Sequence, residues 1–400
     1  MPTTDYRAPA MPTPTALPPL SLYVHIPWCV RKCPYCDFNS HAAPSELPID
    51  DYLACLKQDL LHDLDQVQGR KIHSVFFGGG TPSLFPGVAI GDLLAFVADK
   101  IGFEAGAEIT LEANPGTAER GNFTSLRMEG VNRLSLGVQS FNDDHLQRLG
   151  RIHGRDEALN AFQLARDAGF NNINIDLMHG LPEQTPEQGL SDLQQAIGLG
   201  PEHISWYQLT IEPNTHFYSH TPVLPLEDTL ESIQELGHEA LQSAGYLRYE
   251  TSAYAQNAKR SAHNLNYWQF GDYLAIGAGA HGKNTTLTPN GLVISRNRKT
   301  RLPKDYLAAA KSTANGNPFC AKQSLIDPSQ LPLEFMMNAL RLMDGVKAST
   351  YFERTGLALE PLAQTLADLR AQGLMIDNPN TLANTELGHR YLNAILERFL

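Results

Sequence analysis

The feature that most constrains this chain is a compact run of three cysteines, Cys29, Cys33 and Cys36, directly after an apolar segment that predicts a short strand. The spacing would also fit one face of a helix. Pro34 argues against that helix, because proline lacks an amide hydrogen and its ring clashes with the preceding turn. Three thiolates in a loop can each ligate one iron of a [4Fe–4S] cubane, which leaves the fourth iron without a ligand from this motif.

Two other arrangements of these thiols stay open at this point. They are a disulfide pair with a spare thiol, and a zinc site that lacks one ligand. The chain has five cysteines, an odd number, and only Cys55 and Cys320 lie outside the loop, far apart in sequence. A disulfide framework is therefore not expected, and the composition favours an iron–sulfur protein of the cytoplasm.

The net charge also limits the classes of partner that the chain is expected to bind. A formal net charge of −12 argues against an extended nucleic-acid surface and against a stable hold on anionic lipid. We expect no nucleic-acid partner, and a weak association with a membrane surface only through a partner protein. Residues 1–20, rich in proline and threonine, lack the basic start and apolar core of an export signal and predict a flexible lead-in.

Strand-like and helix-like segments alternate through the first two-thirds of the chain, a pattern that favours parallel strands joined by crossover helices. Such βα units predict a partial (β/α)6 barrel, with the functional residues at the carboxyl ends of its strands. The six predicted strands are Leu22–Ile26, Ser74–Phe77, Glu108–Glu112, Arg133–Val138, Asn172–Met178 and His203–Thr210. Helices are predicted over Arg155–Ala168 and Pro186–Ile197, and where leucines recur at Leu53, Leu56, Leu60 and Leu64.

A glycine run, Gly78-Gly79-Gly80-Thr81, follows the second predicted strand. Consecutive glycines let a backbone approach a ligand closely, although a tight turn without a ligand would also explain them. Further polar residues occur near the ends of later strands, where each could instead cap a helix or form a surface ion pair. These residues are Glu112, Gln139, Arg151 and Asp176.

The cysteine spacing C-x3-C-x2-C followed by this glycine run resembles the radical S-adenosylmethionine (SAM) superfamily. The later segments VQSFN, RLGR and IDLMHGLP resemble the subfamily that contains oxygen-independent coproporphyrinogen III oxidase and the haem chaperone HemW family. The resemblance covers roughly residue 21 to the C-terminus. It implies a [4Fe–4S] cluster on Cys29, Cys33 and Cys36, with SAM on the open iron. The implied SAM contacts are Tyr23, Tyr35, Gly79, Gly80, Thr81, Glu112, Gln139, Arg151 and Asp176.

Two departures separate the branches of this subfamily. The oxidase pattern continues with a fourth cysteine where this chain has Phe38, and the oxidase carries a longer segment before its cluster loop. Both departures resemble the chaperone branch, which binds haem and passes it to an acceptor protein. The alternatives are an enzyme that decarboxylates a porphyrinogen through a 5′-deoxyadenosyl radical, and a redox protein without SAM. Whether SAM is cleaved stays open, and no catalytic residue is assigned.

The segment His263-Asn264-Leu265-Asn266-Tyr267-Trp268 matches the HNxxYW signature of HemW-type proteins. His263 is therefore a candidate haem ligand, with the alternative that hydrogen bonds fix it under a helix. Cys320, His281 and His179 are competing candidates. Residues 277–282 match GxGxxG, but no helix pattern and no acidic partner follow, so a tight turn at a domain junction is predicted there rather than a dinucleotide site.

The last 70 residues or so predict a small, mainly helical domain of winged-helix appearance. Between residues 330 and 400 there are six Lys and Arg against eight Asp and Glu, so the charge that dominates nucleic-acid binding is absent. The sequence therefore predicts four units: the lead-in 1–20, a radical SAM barrel 21–255, a connecting segment 256–329 and a C-terminal domain 330–400. The predicted elements of the last unit are helices over Leu333–Met343, Leu359–Leu369 and Thr385–Leu400, and a short strand over Leu374–Ile376.

Overall fold

The computed structural model describes residues 14, 16–117, 120–256, 259–312 and 316–400. Most of the predicted lead-in lies outside these described residues. The strands are β1 (Leu20–Ile26), β2 (Trp28–Cys29), β3 (His41–Ala42), β4 (Ile72–Gly79), β5 (Phe103–Ala113), β6 (Arg133–Gln139), β7 (Ile173–His179), β8 (His203–Gln208), β9 (Leu247–Glu250), β10 (Ala253–Ala255), β11 (Asp272–Ile276), β12 (His281–Thr288), β13 (Gly291–Lys299), β14 (Cys320–Leu325), β15 (Val346–Lys347) and β16 (Thr381–Leu382).

The helices alternate with the strands of the barrel and then dominate the C-terminal region. They are α1 (Ile49–His62), α2 (Gly87–Lys100), α3 (Arg120–Met128), α4 (Asp143–Arg148), α5 (Arg155–Asp167), α6 (Pro186–Leu199), α7 (His216–Ser219), α8 (Glu227–Ser243), α9 (Ala262–Trp268), α10 (Pro303–Ala309), α11 (Leu331–Ala339), α12 (Ala348–Thr355), α13 (Ala363–Ala371), α14 (Glu386–Arg390) and α15 (Leu392–Leu396). Short 3-10 turns lie at Leu64–Gln66, Pro82–Leu84, Pro115–Thr117, Glu360–Leu362 and Glu397–Phe399.

Six parallel strands form the centre of one large sheet, in the order β1-β4-β5-β6-β7-β8. The order of these strands follows the chain, as expected for successive βα units. The partial (β/α)6 barrel predicted from the sequence is confirmed, and each of its six predicted strands overlaps an observed one. These strands are apolar on both faces because helices cover one side and the barrel interior fills the other.

The sheet extends beyond the barrel on both sides. Strands β10 and β9 add antiparallel to β8, while β11 pairs parallel to β1 and continues antiparallel into β12, β13 and β14. Segment 256–329, predicted to connect two domains, supplies strands β11 to β14 of the main sheet and is called the sheet extension below. The GxGxxG segment is the turn between β11 and β12, as predicted, and this turn lies within the sheet extension.

A pair of buried tyrosines holds that turn against the barrel. The Tyr52 hydroxyl donates to the His25 carbonyl oxygen at 2.8 Å and accepts from the Ala278 amide at 2.8 Å. The Tyr306 hydroxyl accepts from the Gly277 amide at 3.0 Å. The leucine spacing on α1 is explained by the same packing, because Leu53, Leu56 and Leu60 are buried in the barrel core, whereas Leu64 falls in the 3-10 turn after the helix.

The C-terminal region is helical, as predicted, and packs on the sheet extension. Its apolar side chains form a second buried cluster that includes Phe335, Tyr351 and Ile395 together with Phe270 and Ile294 of the extension. The predicted final helix is divided into α14, α15 and a 3-10 turn. The predicted strand near residue 375 is only an isolated bridge between Met375 and Asn384. Within the described residues, no helix has the length and apolar character needed to span a bilayer.

Candidate functional site

The three cysteines lie in a loop at the carboxyl end of β1. The loop is closed at its base by the pairing of Trp28 with His41 and of Cys29 with Ala42. No helix forms between β2 and β3, as Pro34 predicts. The Cys36 amide donates to the Cys33 carbonyl at 3.2 Å and the Ser40 amide donates to the Phe38 carbonyl at 2.7 Å, so the loop contains only short turns. The Pro34 carbonyl accepts from the amide of Phe217 at 3.0 Å, which anchors the middle of the loop to α7.

All five cysteines are free thiols, and Cys29, Cys33 and Cys36 line one small pocket of about 120 Å³. Burial raises the pKa of the Cys29 and Cys36 thiols, although Thr81 and Ser40 oppose the shifts by hydrogen bonding. Within the described residues, no group of three or more His, Cys, Asp and Glu side chains is arranged to hold a single metal ion. A [4Fe–4S] cubane does not require such a group, because each thiolate ligates a different iron.

The glycine run packs directly on the cluster loop. The Gly80 amide donates to the Ile26 carbonyl and the Thr81 amide donates to the Trp28 carbonyl, both at 2.7 Å. Gly79 has a φ of +108°, and a Cβ there would lie 2.4 Å from the His25 ring; a Cβ on Gly80 would lie 2.5 Å from the Trp28 carbonyl oxygen. Glycine is therefore required sterically at both positions, and the backbone of the run reaches the pocket wall.

Two carboxyl groups stand on neighbouring parts of the pocket wall, and neither forms an ion pair within the described residues, although the more distant Arg133 acts on Asp176. Burial and the charge of Asp176 raise the pKa of Glu112 to about 8, although the Gly79 amide donates to its Oε2 at 3.2 Å. Burial also raises the pKa of Asp176, which accepts from Ser135 and Asn174 at 2.8 Å each. A ligand that brought an ammonium group or hydroxyl groups to this wall would relieve that cost.

A cation stands across the same pocket, close to one of the thiols. The Arg151 guanidinium donates through Nη1 to Cys33 Sγ at 3.7 Å and through Nη2 to the Gly137 carbonyl. Its Nε is buried without a hydrogen-bond partner in the described residues. Gln139, at a φ of +72°, accepts through Oε1 from the Tyr207 hydroxyl at 2.8 Å. An anionic group in the pocket would supply the hydrogen-bond acceptor that the Arg151 guanidinium lacks.

The two tyrosines of the predicted SAM set occupy different places. Tyr35 lines the thiol pocket and packs on Phe217 at 6.4 Å between ring centroids. Tyr23 lines a second, larger cavity, and its hydroxyl bonds His25 Nδ1 at 2.8 Å. The structure thus brings together all the predicted cluster and SAM residues around the thiol pocket except Tyr23. Sequence reasoning missed Ser135 and Tyr207, although both follow the signal of polar side chains toward the ends of barrel strands.

The larger cavity has a volume of about 680 Å³, within the usual range for ligand pockets. It lies beside the thiol pocket, and Phe38, Gly79 and Glu112 border both. Its remaining walls come from the barrel, from the sheet extension and from α11. Seven aromatic side chains contribute to the lining: Tyr23, Phe38, Phe76, Tyr267, Trp268, Phe270 and Tyr273.

His263 is not among the lining residues of either cavity. Its ring is buried, stacks on Phe76 at 4.1 Å between centroids, and bonds Glu108 Oε1 through Nδ1 at 3.0 Å. Burial lowers the pKa of His263, while the Glu108 carboxylate opposes that shift. Of the two interpretations of this histidine, the geometry favours a residue that hydrogen bonds fix in place, here within the first turn of α9. Tyr267 and Trp268 of the same motif do reach the cavity.

The structure also distinguishes the three competing candidates for the haem ligand by their positions relative to the cavities. His179 is buried against Trp206 at 4.3 Å between ring centroids, and the Cys320 thiol donates to the Lys322 carbonyl at 3.4 Å. Neither lines a cavity described above. His281 is the one competitor that does so, on the wall formed by the sheet extension.

Comparison with known proteins places these features in a family. The model of the Radical SAM superfamily matches residues 23–195, and that of the HemN C-terminal domain matches residues 326–390. A protein of Haemophilus influenzae named "Heme chaperone HemW" is 50% identical over 388 residues, which cover 96% of this chain and 98% of that protein. The protein of the same name from Escherichia coli is 49% identical over 384 residues, covering 96% and 99%. The one from Bacillus subtilis is 32% identical over 387 residues, covering 95% and 99%.

One solved structure shares the fold over nearly the whole chain. Coproporphyrinogen III oxidase (HemN) from Escherichia coli, described as a radical SAM enzyme, superposes with a TM-score of 0.79 over 96% of this chain and 90% of that one. Its sequence identity is 24%, so this likeness concerns the fold alone.

Proposed function

Because this chain belongs to the HemW family of radical SAM proteins, we propose that it is a haem chaperone that binds haem and transfers it to an acceptor protein. The observation that carries the proposal is similarity over the full chain, at 49% identity or more, to two proteins named for that function. Phe38, which stands where the oxidase pattern has a fourth cysteine, supports the same branch. The free thiols and charge of the chain support a cytoplasmic site of action.

Membership of the superfamily implies a [4Fe–4S] cluster and SAM. The thiols of Cys29, Cys33 and Cys36 would hold the cluster, which when bound supplies an open iron site for SAM and an electron. The pocket fits the charge pattern of SAM on two sides. Arg151, with an unpartnered Nε, would hold the carboxylate, while Glu112 is a carboxyl group that lacks a cation. Gly79, Gly80, Thr81, Tyr35, Gln139 and Asp176 would complete the contacts.

Two buried apolar clusters, one in the barrel and one in the C-terminal region, support a division of the chain into separate units. We propose the barrel unit over 21–255 and the C-terminal unit over 330–400. Segment 256–329 then joins them as the sheet extension.

Replacing Arg151 with alanine is expected to weaken SAM binding about ten- to a hundredfold, because a charge-assisted hydrogen bond to the carboxylate is lost. The cluster content should stay the same, since the thiols are retained. SAM binding can be measured by titration against the electron paramagnetic resonance spectrum of the reduced cluster, alongside iron and sulfide analysis.

Arg148→Ala is a matched control for this variant. Arg148 precedes Arg151 by three residues, but it is exposed and pairs with Glu183 outside the pocket. Unchanged SAM affinity in Arg151→Ala would remove this arginine from the site. A parent spectrum that SAM leaves unaltered would contradict the open iron site itself.

The proposed function is tested by haem transfer. The anaerobically reconstituted protein is loaded with haemin, separated from free haemin and mixed with a haem-free b-type cytochrome domain as acceptor. The Soret band of the acceptor should appear at the expense of the donor band. Failure of the chain to bind haemin, or retention of haemin in the presence of the acceptor, would contradict the chaperone proposal.

We expect no decarboxylation of coproporphyrinogen III by the protein given SAM and a reductant, because Phe38 cannot supply the thiol of the oxidase pattern. The products are separated by chromatography, with the Escherichia coli oxidase as a positive control. Protoporphyrinogen IX formed over multiple turnovers would assign the chain to the oxidase branch instead.

A further inference from the structure

The larger cavity has one wall made by alternate residues of the sheet extension. His281 lies opposite Arg298 in the antiparallel register, and Lys283 lies opposite both Arg296 and Tyr273. Side chains two residues apart on a strand point to the same face, so these five share one side of the sheet. All five line the cavity.

The cations on this wall differ in whether a carboxylate already neutralises them. Lys283 pairs with Asp272 at 3.0 Å, and Arg296 pairs with Glu334. Arg298 has no ion pair among the described residues. Arg301, just beyond β13, donates among the described residues only to the side-chain oxygen of Asn39, at 3.2 Å. Two guanidinium groups therefore border the cavity without an ion pair to any described carboxylate, although Asp37 and Glu112 also reach its lining.

Two histidines border the cavity, and they differ in the freedom of their ring nitrogens. His25 uses both, bonding Tyr23 Oη at 2.8 Å and the Asn39 carbonyl at 3.0 Å. His281 is partly exposed, and its ring makes no hydrogen bond within the described part of the chain. Desolvation of the buried part of the side chain and the nearby Arg298 and Arg296 lower its pKa, which favours the neutral imidazole that binds iron.

The cavity also offers flat apolar area. Tyr267 and Tyr273 pack edge to face at 4.8 Å between ring centroids, and Trp268 and Phe76 line the cavity near them. Phe38, 59% exposed, projects at the border with the thiol pocket. Aromatic faces of this kind suit a broad planar ligand.

We propose that this cavity is the haem site, with His281 as the ligand to iron and with Arg298 and Arg301 as partners of the two propionates. The inference rests on the proposed function and adds the place and the residues of haem binding. Haem matches the cavity in three respects: it is planar and largely apolar, it carries two carboxylates, and its iron takes an imidazole ligand. His263 then positions α9, which carries Tyr267 and Trp268, instead of ligating iron.

The test compares haemin with metal-free protoporphyrin IX, which has the same propionates and no iron. His281→Ala should shift the Soret band of bound haemin and weaken haemin binding about tenfold, with protoporphyrin IX binding unchanged. The double variant Arg298→Ala/Arg301→Ala should weaken both porphyrins about tenfold or more, because it removes charge-assisted hydrogen bonds common to both. Absorbance and fluorescence-quenching titrations give the affinities.

Matched controls are His62→Ala and Arg398→Ala, which change exposed residues outside the cavity and should leave both titrations as in the parent. Circular dichroism and iron–sulfur content report whether each variant folds. A Soret band moved by His263→Ala and not by His281→Ala would overturn the proposed ligand. The same result with Met337→Ala would also overturn it, since Met337 on α11 lines the cavity and a thioether can ligate haem iron. Haemin binding by the parent with no effect of the arginine variant would overturn the propionate site alone. Absence of haemin binding by the parent would overturn the proposed function together with the site.

Discussion

Replacing Cys29, Cys33 or Cys36 with alanine is expected to abolish assembly of the [4Fe–4S] cluster. Each thiolate would bind a different iron, so no neighbouring thiol takes over the position of the one that is lost. The remaining cysteines do not line the pocket: Cys55 is buried on α1 and Cys320 lies on β14. Iron and sulfide analysis after anaerobic reconstitution, with the visible absorbance of the cluster, measures the effect.

Cys55→Ala and Cys320→Ala are the controls for this loss. Both should retain the iron and sulfide content of the parent, although Cys55→Ala removes a buried side chain from the core. The loop variants should still fold, because backbone pairs and Asn39 continue to hold the loop when one weak hydrogen bond of a thiol is lost. Parent-like iron and sulfide in Cys33→Ala would show that the loop is not the cluster site.

The barrel could be predicted from the sequence because each of its strands is identified by a run of consecutive apolar residues. Residues 173–179, for example, are nearly all buried, and a run of this kind is typical of a parallel strand covered on both faces. Two of the helices between the strands, α5 and α6, were predicted to within two residues for the same reason, and the leucine spacing indicated α1. The ends of these elements differ, because the pattern is weakest there.

The sheet extension could not be predicted in this way. Strand β12 is written HGKNTTLT, in which polar residues and turn-forming residues hide the alternation. Its burial depends on ion pairs and side chains that the sequence does not place next to one another. Lys283, for instance, is buried only because Asp272 and the Phe270 ring receive its ammonium group.

In the candidate site, too, the features formed by consecutive residues could be predicted, whereas those formed by residues far apart in the chain could not. The cysteine loop and the glycine run were evident as motifs, since each lies within a few consecutive residues. The larger cavity is built from segments more than 200 residues apart, as the bonds from the Asn39 side chain to the carbonyls of Ala278 and Arg301 show. The motif histidine, His263, was a candidate ligand by resemblance, and only Glu108, on a distant strand, explains its place in the structure.

Replacing Glu112 with glutamine is expected to stabilise the ligand-free protein and to weaken SAM binding. Burial and the nearby Asp176 raise the pKa of Glu112 from about 4.5 to about 8. Between these values the unfolded chain is ionised at this position while the folded protein keeps the proton, so stability falls as pH rises. Glutamine removes that cost, which is about 2 kcal/mol at pH 7 once the partial exposure of the side chain to the pocket is allowed for.

The gain in stability should therefore depend on pH. Urea unfolding of variant and parent should differ little at pH 5 and most at pH 8, and SAM affinity should fall about tenfold because an ammonium group of the ligand loses its anionic partner. Glu104→Gln, an exposed change on the same strand, should show neither effect. Part of the pH dependence will persist in Glu112→Gln, since burial raises the pKa of Asp176 as well. A stability difference that is equal at both pH values would contradict a raised pKa at Glu112, and unchanged SAM affinity would place the ammonium group elsewhere on the wall.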